Sequence, residues 1–105
     1  MNHLKKYETW AEILKALASP VRLFIIEELQ KGERSLGEFN KLLHIDISTI
    51  SRHLSTLKKA GIIESTKRGT QVYFRLKIPC VVNFLKCSED VLKESVQEKM
   101  KILEM

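Results

Sequence analysis

Between residues 48 and 55 the chain sets Ser48, Thr49, Ser51 and Ser55 around one long cation, Arg52. Small hydroxyls allow close approach to a polar partner, and a guanidinium supplies a forked donor that fits a guanine edge or a phosphate. His53 follows Arg52 directly, and Lys67, Arg68 and Thr70 form a second group of donors around Gly69. Two cysteines, Cys80 and Cys87, offer a different chemistry. Their soft thiolates suit thiophilic ions such as trivalent arsenic, cadmium, mercury or copper(I), or reaction with an oxidant. Seven positions apart on a helix, they share a face but stand roughly 10.5 Å apart along its axis. A disulfide requires Cα atoms within about 7 Å, so the two cannot pair inside one unbroken helix. The plainer reading makes them small buried hydrophobes beside Phe84 and Val91.

Catalysis finds little support. No Ser/His/Asp arrangement, glycine-rich phosphate loop, HExxH or CxxC pattern occurs, and the adjacent Glu27 and Glu28 diverge on a helix. The chain is therefore not expected to be an enzyme.

Charge narrows the partner. The sequence of 105 residues carries 18 Lys and Arg against 13 Asp and Glu, a net +5. Residues 46–77 hold seven cations (Arg52, Lys58, Lys59, Lys67, Arg68, Arg75, Lys77) and two anions, Asp46 and Glu64, so the whole excess lies in this window. A neutral scaffold with one basic segment suits a polyanion, since each phosphate neutralised releases condensed counterions. The longest apolar run, Leu23-Phe24-Ile25-Ile26, is far short of the roughly 18 residues of a membrane span. The first residues, from Met1 to Lys6, have no signal-peptide pattern, so a cytoplasmic protein without membrane contact is expected.

These groups must be positioned by a small scaffold. Length and the 44% hydrophobic content predict a single domain over residues 1–105. A chain of this size buries about two-thirds of its unfolded surface, so a partner subunit would help it. Residues 4–18 carry Leu4, Tyr7, Ala11, Leu14 and Leu17 at helical spacing, with Trp10 and Ile13 alongside. Ser19 and Pro20 can cap and open a second helix that ends before Gly32. Ser35 and Glu38 form a capping-box pattern for a short third helix with Leu36, Phe39, Leu42 and Leu43 as its apolar face.

A turn at His44-Ile45-Asp46 follows, in which His44 is expected to be left-handed, and Asp46 can cap a fourth helix. Its apolar positions are Ile47, Ile50, Leu54 and Leu57, and Gly61 with Ile62 reads as a Schellman ending. Two strands are expected at residues 62–66 and 71–77, linked through Gly69, the second with Val72, Phe74 and Leu76 on one face. A last helix runs from residue 80 to 103, with Glu89 and Lys93 paired at i, i+4.

The order α-α-α-α-β-β-α, mainly helical with a small β-hairpin, is that of a winged helix-turn-helix. A major groove about 12 Å wide accepts one helix whose first side chains reach the base edges. Ser48, Thr49, Ser51, Arg52 and Ser55 would face double-stranded DNA, with Lys67, Arg68 and Thr70 beside the flanking backbone.

Several separate blocks carry a further likeness. Leu14-Lys15-Ala16-Leu17-Ala18-Ser19-Pro20-Val21-Arg22-Leu23, Ser48-Thr49-Ile50-Ser51-Arg52-His53-Leu54, Leu57-Lys58-Lys59-Ala60-Gly61-Ile62-Ile63 and Gln71-Val72-Tyr73-Phe74-Arg75-Leu76 resemble the ArsR/SmtB family of repressors. The resemblance covers about residues 10–77. It implies a homodimer through the first and last helices, bound to an inverted-repeat operator until an inducer lowers DNA affinity. It also implies that His53, at a position the family commonly fills with histidine, bonds a phosphate or braces the helix. Arg22 matches a family position as well, and the plainer reading has it hold helix ends together.

The family's metal sites do not carry over. Its cysteine pair at the start of the third helix falls on Ser35 and Gly37, and no histidine follows His53 to form the site on the last helix. Ile47 replaces a frequent glutamine, removing one base contact. Cys80 and Cys87 remain as candidates for sensing a thiophilic ion or oxidant, with four thiols from two chains converging across a two-fold axis. Two alternatives stay open: a DNA-binding regulator without cysteine sensing, and a winged-helix protein-interaction module. The latter should expose apolar residues at the front of the fourth helix.

Overall fold

A computed structural model describes residues 3–104. Its elements are α1 (Lys5–Leu17), α2 (Pro20–Gln30), β1 (Arg34–Ser35), α3 (Leu36–Leu42), α4 (Ile47–Lys59), β2 (Ile63–Arg68), β3 (Gln71–Leu76) and α5 (Cys80–Glu104). The helix boundaries follow local chemistry. Ser19 Oγ accepts from the Arg22 amide at 3.3 Å, with Pro20 as the first helical residue of α2. Ser35 and Glu38 complete a reciprocal capping box on α3. At the end of α4 the Ile62 and Gly61 amides donate to the Leu57 and Lys58 carbonyls, both at 3.0 Å. This is a Schellman ending, and Gly61 supplies its left-handed residue with φ +78°.

The sheet is three-stranded and antiparallel, in the order β1-β3-β2, rather than a bare hairpin. Arg34 pairs with Phe74 and Ser35 with Tyr73, so the last two residues before α3 cover the free edge of the wing. Arg68 lies opposite Gln71, which leaves a two-residue loop with Gly69 at φ +63°. Lys67 and Arg68 are thus strand residues rather than part of the loop. The expected left-handed His44 is not found: only glycines have positive φ among the described residues. The turn is made instead by extended Leu43 and Asp46, at ψ 133° and 148°.

One core joins all layers. Ala16, Leu17, Ile25, Ile26, Leu29, Phe39, Ile50, Leu54, Leu57, Ile62, Ile63, Phe74 and Val82 are buried together. Behind it, Glu28 takes ion pairs from Lys31 at 3.1 Å and Arg34 at 2.9 Å, and Arg34 also reaches Glu38 at 3.1 Å. These contacts, led by the Lys31 hydrogen bond, hold the Glu28 carboxyl below its ordinary range and tie α2 to β1 and α3.

The outer helices contribute little to this core. Of α1 only Ala16 and Leu17 are buried, and of α5 only Val82. Tyr7 and Trp10 are exposed and touch each other edge-to-face at 5.6 Å, so they are not core residues within the chain. Glu89 and Lys93, both exposed, pair at 2.8 Å along α5.

Candidate nucleic-acid interface

The helix-turn-helix comprises α3, the turn over residues 43–46, and α4. The Asp46 carboxylate organises the front of α4. It accepts from the Thr49 amide at 3.2 Å, the Thr49 hydroxyl at 2.9 Å and the Ser48 hydroxyl. Those bonds, the Ser48 hydroxyl first, hold the Asp46 carboxyl below its usual value, so the cap is ionised at neutral pH. Ser48 and Thr49 therefore serve the cap as well as the surface, and Thr49 is only half exposed.

Ile50, Leu54 and Leu57 point into the core, while Ser48, Ser51, Arg52 and Ser55 are exposed on the opposite side as expected. Ile47 is a correction. Its spacing suggested the inward stripe, yet the side chain is 48% exposed. It occupies the first turn, while Ile45, one residue before the cap, packs against the core instead. Leu42, expected on the inward face of α3, is also 43% exposed.

His53 is turned toward the scaffold. The Arg22 Nη1 lies 3.0 Å from its Nδ1, while Arg22 Nε and Nη2 donate to the carbonyls of Ala16 at 2.5 Å and Lys15 at 3.4 Å. Arg22 thus bolts α4 to the junction of α1 and α2. Burial first, then the charges of Arg22 and Arg52, push the His53 pKa below its ordinary value. The ring is neutral at pH 7, and because Arg22 can only donate, its proton sits on Nε2. A shallow cleft of about 230 Å³ opens beside Arg22, Thr49, Arg52, His53 and Thr56.

The hairpin adjoins α4. Ser51, Ser55 and Lys58 line one cleft with Ser65 and Val72 of the wing. Lys67 and Thr70 are exposed at its tip. Arg68 is more constrained: it pairs with Glu33 and lies over the Tyr73 ring, 4.5 Å from its centroid. Tyr73 is the diagonal cross-strand neighbour of Arg68, a contact that the two-residue loop would have disclosed. Arg75 pairs with Glu64. Of the seven cations in residues 46–77, Arg52, Lys58, Lys59, Lys67 and Lys77 therefore make no ion pair among the described residues.

Cys80 and Cys87 are both free and exposed on α5, not buried beside Phe84 and Val91, which are exposed too. Cys80 is the first residue of the helix. At the start of α3 the Ser35 hydroxyl is committed to the helix cap and Gly37 has no side chain, so this corner does not suit a metal ion. No group of three or more His, Cys, Asp or Glu poised for a metal occurs among the described residues. No described helix is long and apolar enough to cross a membrane.

A helix-turn-helix with an exposed polar second helix and an adjoining antiparallel wing defines a winged helix-turn-helix protein. The family model for bacterial regulatory proteins of the arsR family matches residues 19–65. An uncharacterised HTH-type transcriptional regulator of Methanocaldococcus jannaschii is 35% identical over 89 residues, covering 84% of this chain and 100% of that protein. The HTH-type transcriptional repressor SmtB of Mycobacterium tuberculosis is 38% identical over 65 residues, or 62% of this chain. That match spans about half of SmtB, 48% of its length. Among solved structures, a homodimeric winged helix-turn-helix DNA-binding domain from Mycobacterium bovis superposes with a TM-score of 0.77 at 27% identity, covering 92% of this chain and 90% of that one. The chain belongs to the ArsR family, whose matched members are transcriptional regulators and not enzymes.

Proposed function

We propose that the chain is a sequence-specific DNA-binding repressor that acts as a homodimer on an inverted-repeat operator. In this reading residues 1–105 form one reading domain with dimerisation helices at each end, working in the cytoplasm. Ser48, Thr49, Ser51, Arg52 and Ser55 approach base edges and phosphates, and Lys67, Arg68 and Thr70 follow the flanking backbone. His53 braces α4 through Nδ1 and offers its Nε2 proton to a phosphate. The observation that carries the reading is the exposed hydroxyl face of α4 with Arg52 on it, Lys58 beside Ser51 and Ser55, and Lys67 near the tip of the wing, none of them ion-paired among the described residues. A protein-docking module would need a broad apolar front, whereas Ile47 stands alone among Ser48, Ser51 and Arg52.

The test is selection of duplexes from randomised DNA, followed by affinity measurement on the preferred one. Arg52→Ala should cost about 1–3 kcal/mol there and relax preference at one base position. Equal affinity of wild type and variant for every duplex would remove Arg52 from the reading face.

Exposure of both thiols on α5, which packs on α2, supports the finer reading in which an inducer acts at Cys80 and Cys87. A thiophilic ion or oxidant at these sulfurs would shift α5 and, through the paired subunits, the spacing of the two α4 helices. Replacing both cysteines with serine should abolish release from DNA by such agents while leaving DNA affinity intact. A double variant that is still released contradicts cysteine sensing.

A further inference from the structure

The exposed Ile47 side chain stands at the front of α4, within the polar face. Burying an aliphatic group is favourable, yet the first turn of α4 presents this one to water at 48% exposure. A structural role is already filled: a hydrophobic staple would use the residue before the cap and the fourth helical residue, here Ile45 and Ile50. Ile50 is fully buried and Ile45 packs against the core. Ile47 therefore contributes nothing visible to the cap or the body. Its neighbours fix its surroundings. Ser48 is bonded to Asp46, and Ser51 is one turn further along the same exposed side, with Arg52 next to it. An aliphatic group thus projects from the leading end of a face otherwise made of hydroxyls and one guanidinium.

The floor of a DNA major groove is almost wholly polar, with one exception: the 5-methyl group of thymine. We infer that Ile47 reads that methyl group, so the preferred half-site carries a thymine where the first turn of α4 meets the groove. The inference rests on the DNA-binding reading above and adds a base preference to it. An amide at this position would select by hydrogen bonds. Isoleucine selects by shape and apolar burial, and any polar edge placed under it is penalised by desolvation.

Deoxyuridine isolates the group in question, because it keeps every hydrogen-bonding atom of thymine and removes only the methyl. On a duplex selected from randomised DNA, each thymine is replaced in turn. One position per half-site should lose affinity about fourfold, and about fifteenfold when both half-sites are changed. Ile47→Ala and Ile47→Gln should bind thymine and deoxyuridine duplexes equally, whereas Arg52→Ala should still discriminate between them. Cytosine at that position should bind weakly and 5-methylcytosine should recover part of the loss, since it restores the methyl on a different base. Wild-type indifference to deoxyuridine at every position overturns the inference while leaving DNA binding intact, as does unchanged discrimination in Ile47→Ala or no recovery by 5-methylcytosine. Failure to select any duplex overturns the DNA-binding reading and this inference with it.

Discussion

The middle of the chain and its two ends solve the burial problem differently. Between α2 and β3, nearly every large aliphatic position closes on the common core, and Phe39, Ile25, Ile26, Ile50 and Leu57 are completely buried. Along α1 and α5, Leu4, Tyr7, Trp10, Leu14, Phe84, Val91, Leu92, Val96 and Met100 stay more than half exposed. The radius of gyration, 17.4 Å, exceeds the roughly 13 Å of a compact chain of this length, and the 25-residue α5 buries only Val82. The middle is a finished object and the ends are not. Two amphipathic helices with unburied stripes are what a chain displays when its second half of core comes from another copy, and this is the pairing proposed above.

The contrast can be broken at either side. Its largest expected effect lies at the ends. Leu92→Glu combined with Val96→Glu should weaken association of two chains by roughly a thousandfold or more, given about 1.5–3 kcal/mol for each buried aliphatic side chain. Sedimentation should then find single chains that retain the helix and sheet content of the body. An unaltered oligomeric state would mean that the stripe on α5 faces no partner. Next comes Phe39→Ala, which should cost about 3–5 kcal/mol in urea unfolding, because the cavity opens where α3 meets the shared core. A loss below about 1 kcal/mol would show that the middle is less tightly built than its burial implies.

The smallest effect sharpens the seam between α4 and the α1–α2 junction. Burial and the neighbouring Arg22 and Arg52 charges hold the folded His53 pKa below its ordinary value, so the unfolded chain binds the proton more readily. Stability should therefore decline as pH falls from about 7 toward 5, a window above the titration of the carboxylates. His53→Gln should flatten that decline, and an unchanged pH profile in the variant would remove His53 from the bolt.

What could be read in the sequence, and what could not, divides along physical lines. Ser19 with Pro20, Ser35 with Glu38, Asp46, and Gly61 with Ile62 were legible because capping is decided within four or five residues. Strand β1 was not, since two residues become a strand only through pairing with β3 some forty positions away. Ile47 shared the spacing of the buried stripe, but periodicity does not say which first-turn positions the body covers, and Ile45 takes the place against the core. The expected left-handed His44 failed because Leu43 and Asp46 supply the change of direction. The charges were countable in advance, whereas the pairing of Arg68 with Glu33, 35 positions apart, required the folded chain. The exposed polar side of α4 was thus largely visible beforehand, and the pairing of the charges around it was not.

Those charges give the most direct measurement. Affinity for a selected duplex, followed over a salt series with the number of bound chains counted, should fall by about 0.9 in log K per log salt for each phosphate neutralised. The paired reading head predicts two chains per duplex with a slope steeper than about −3. A flat response, or a single chain bound at saturation, would contradict the account.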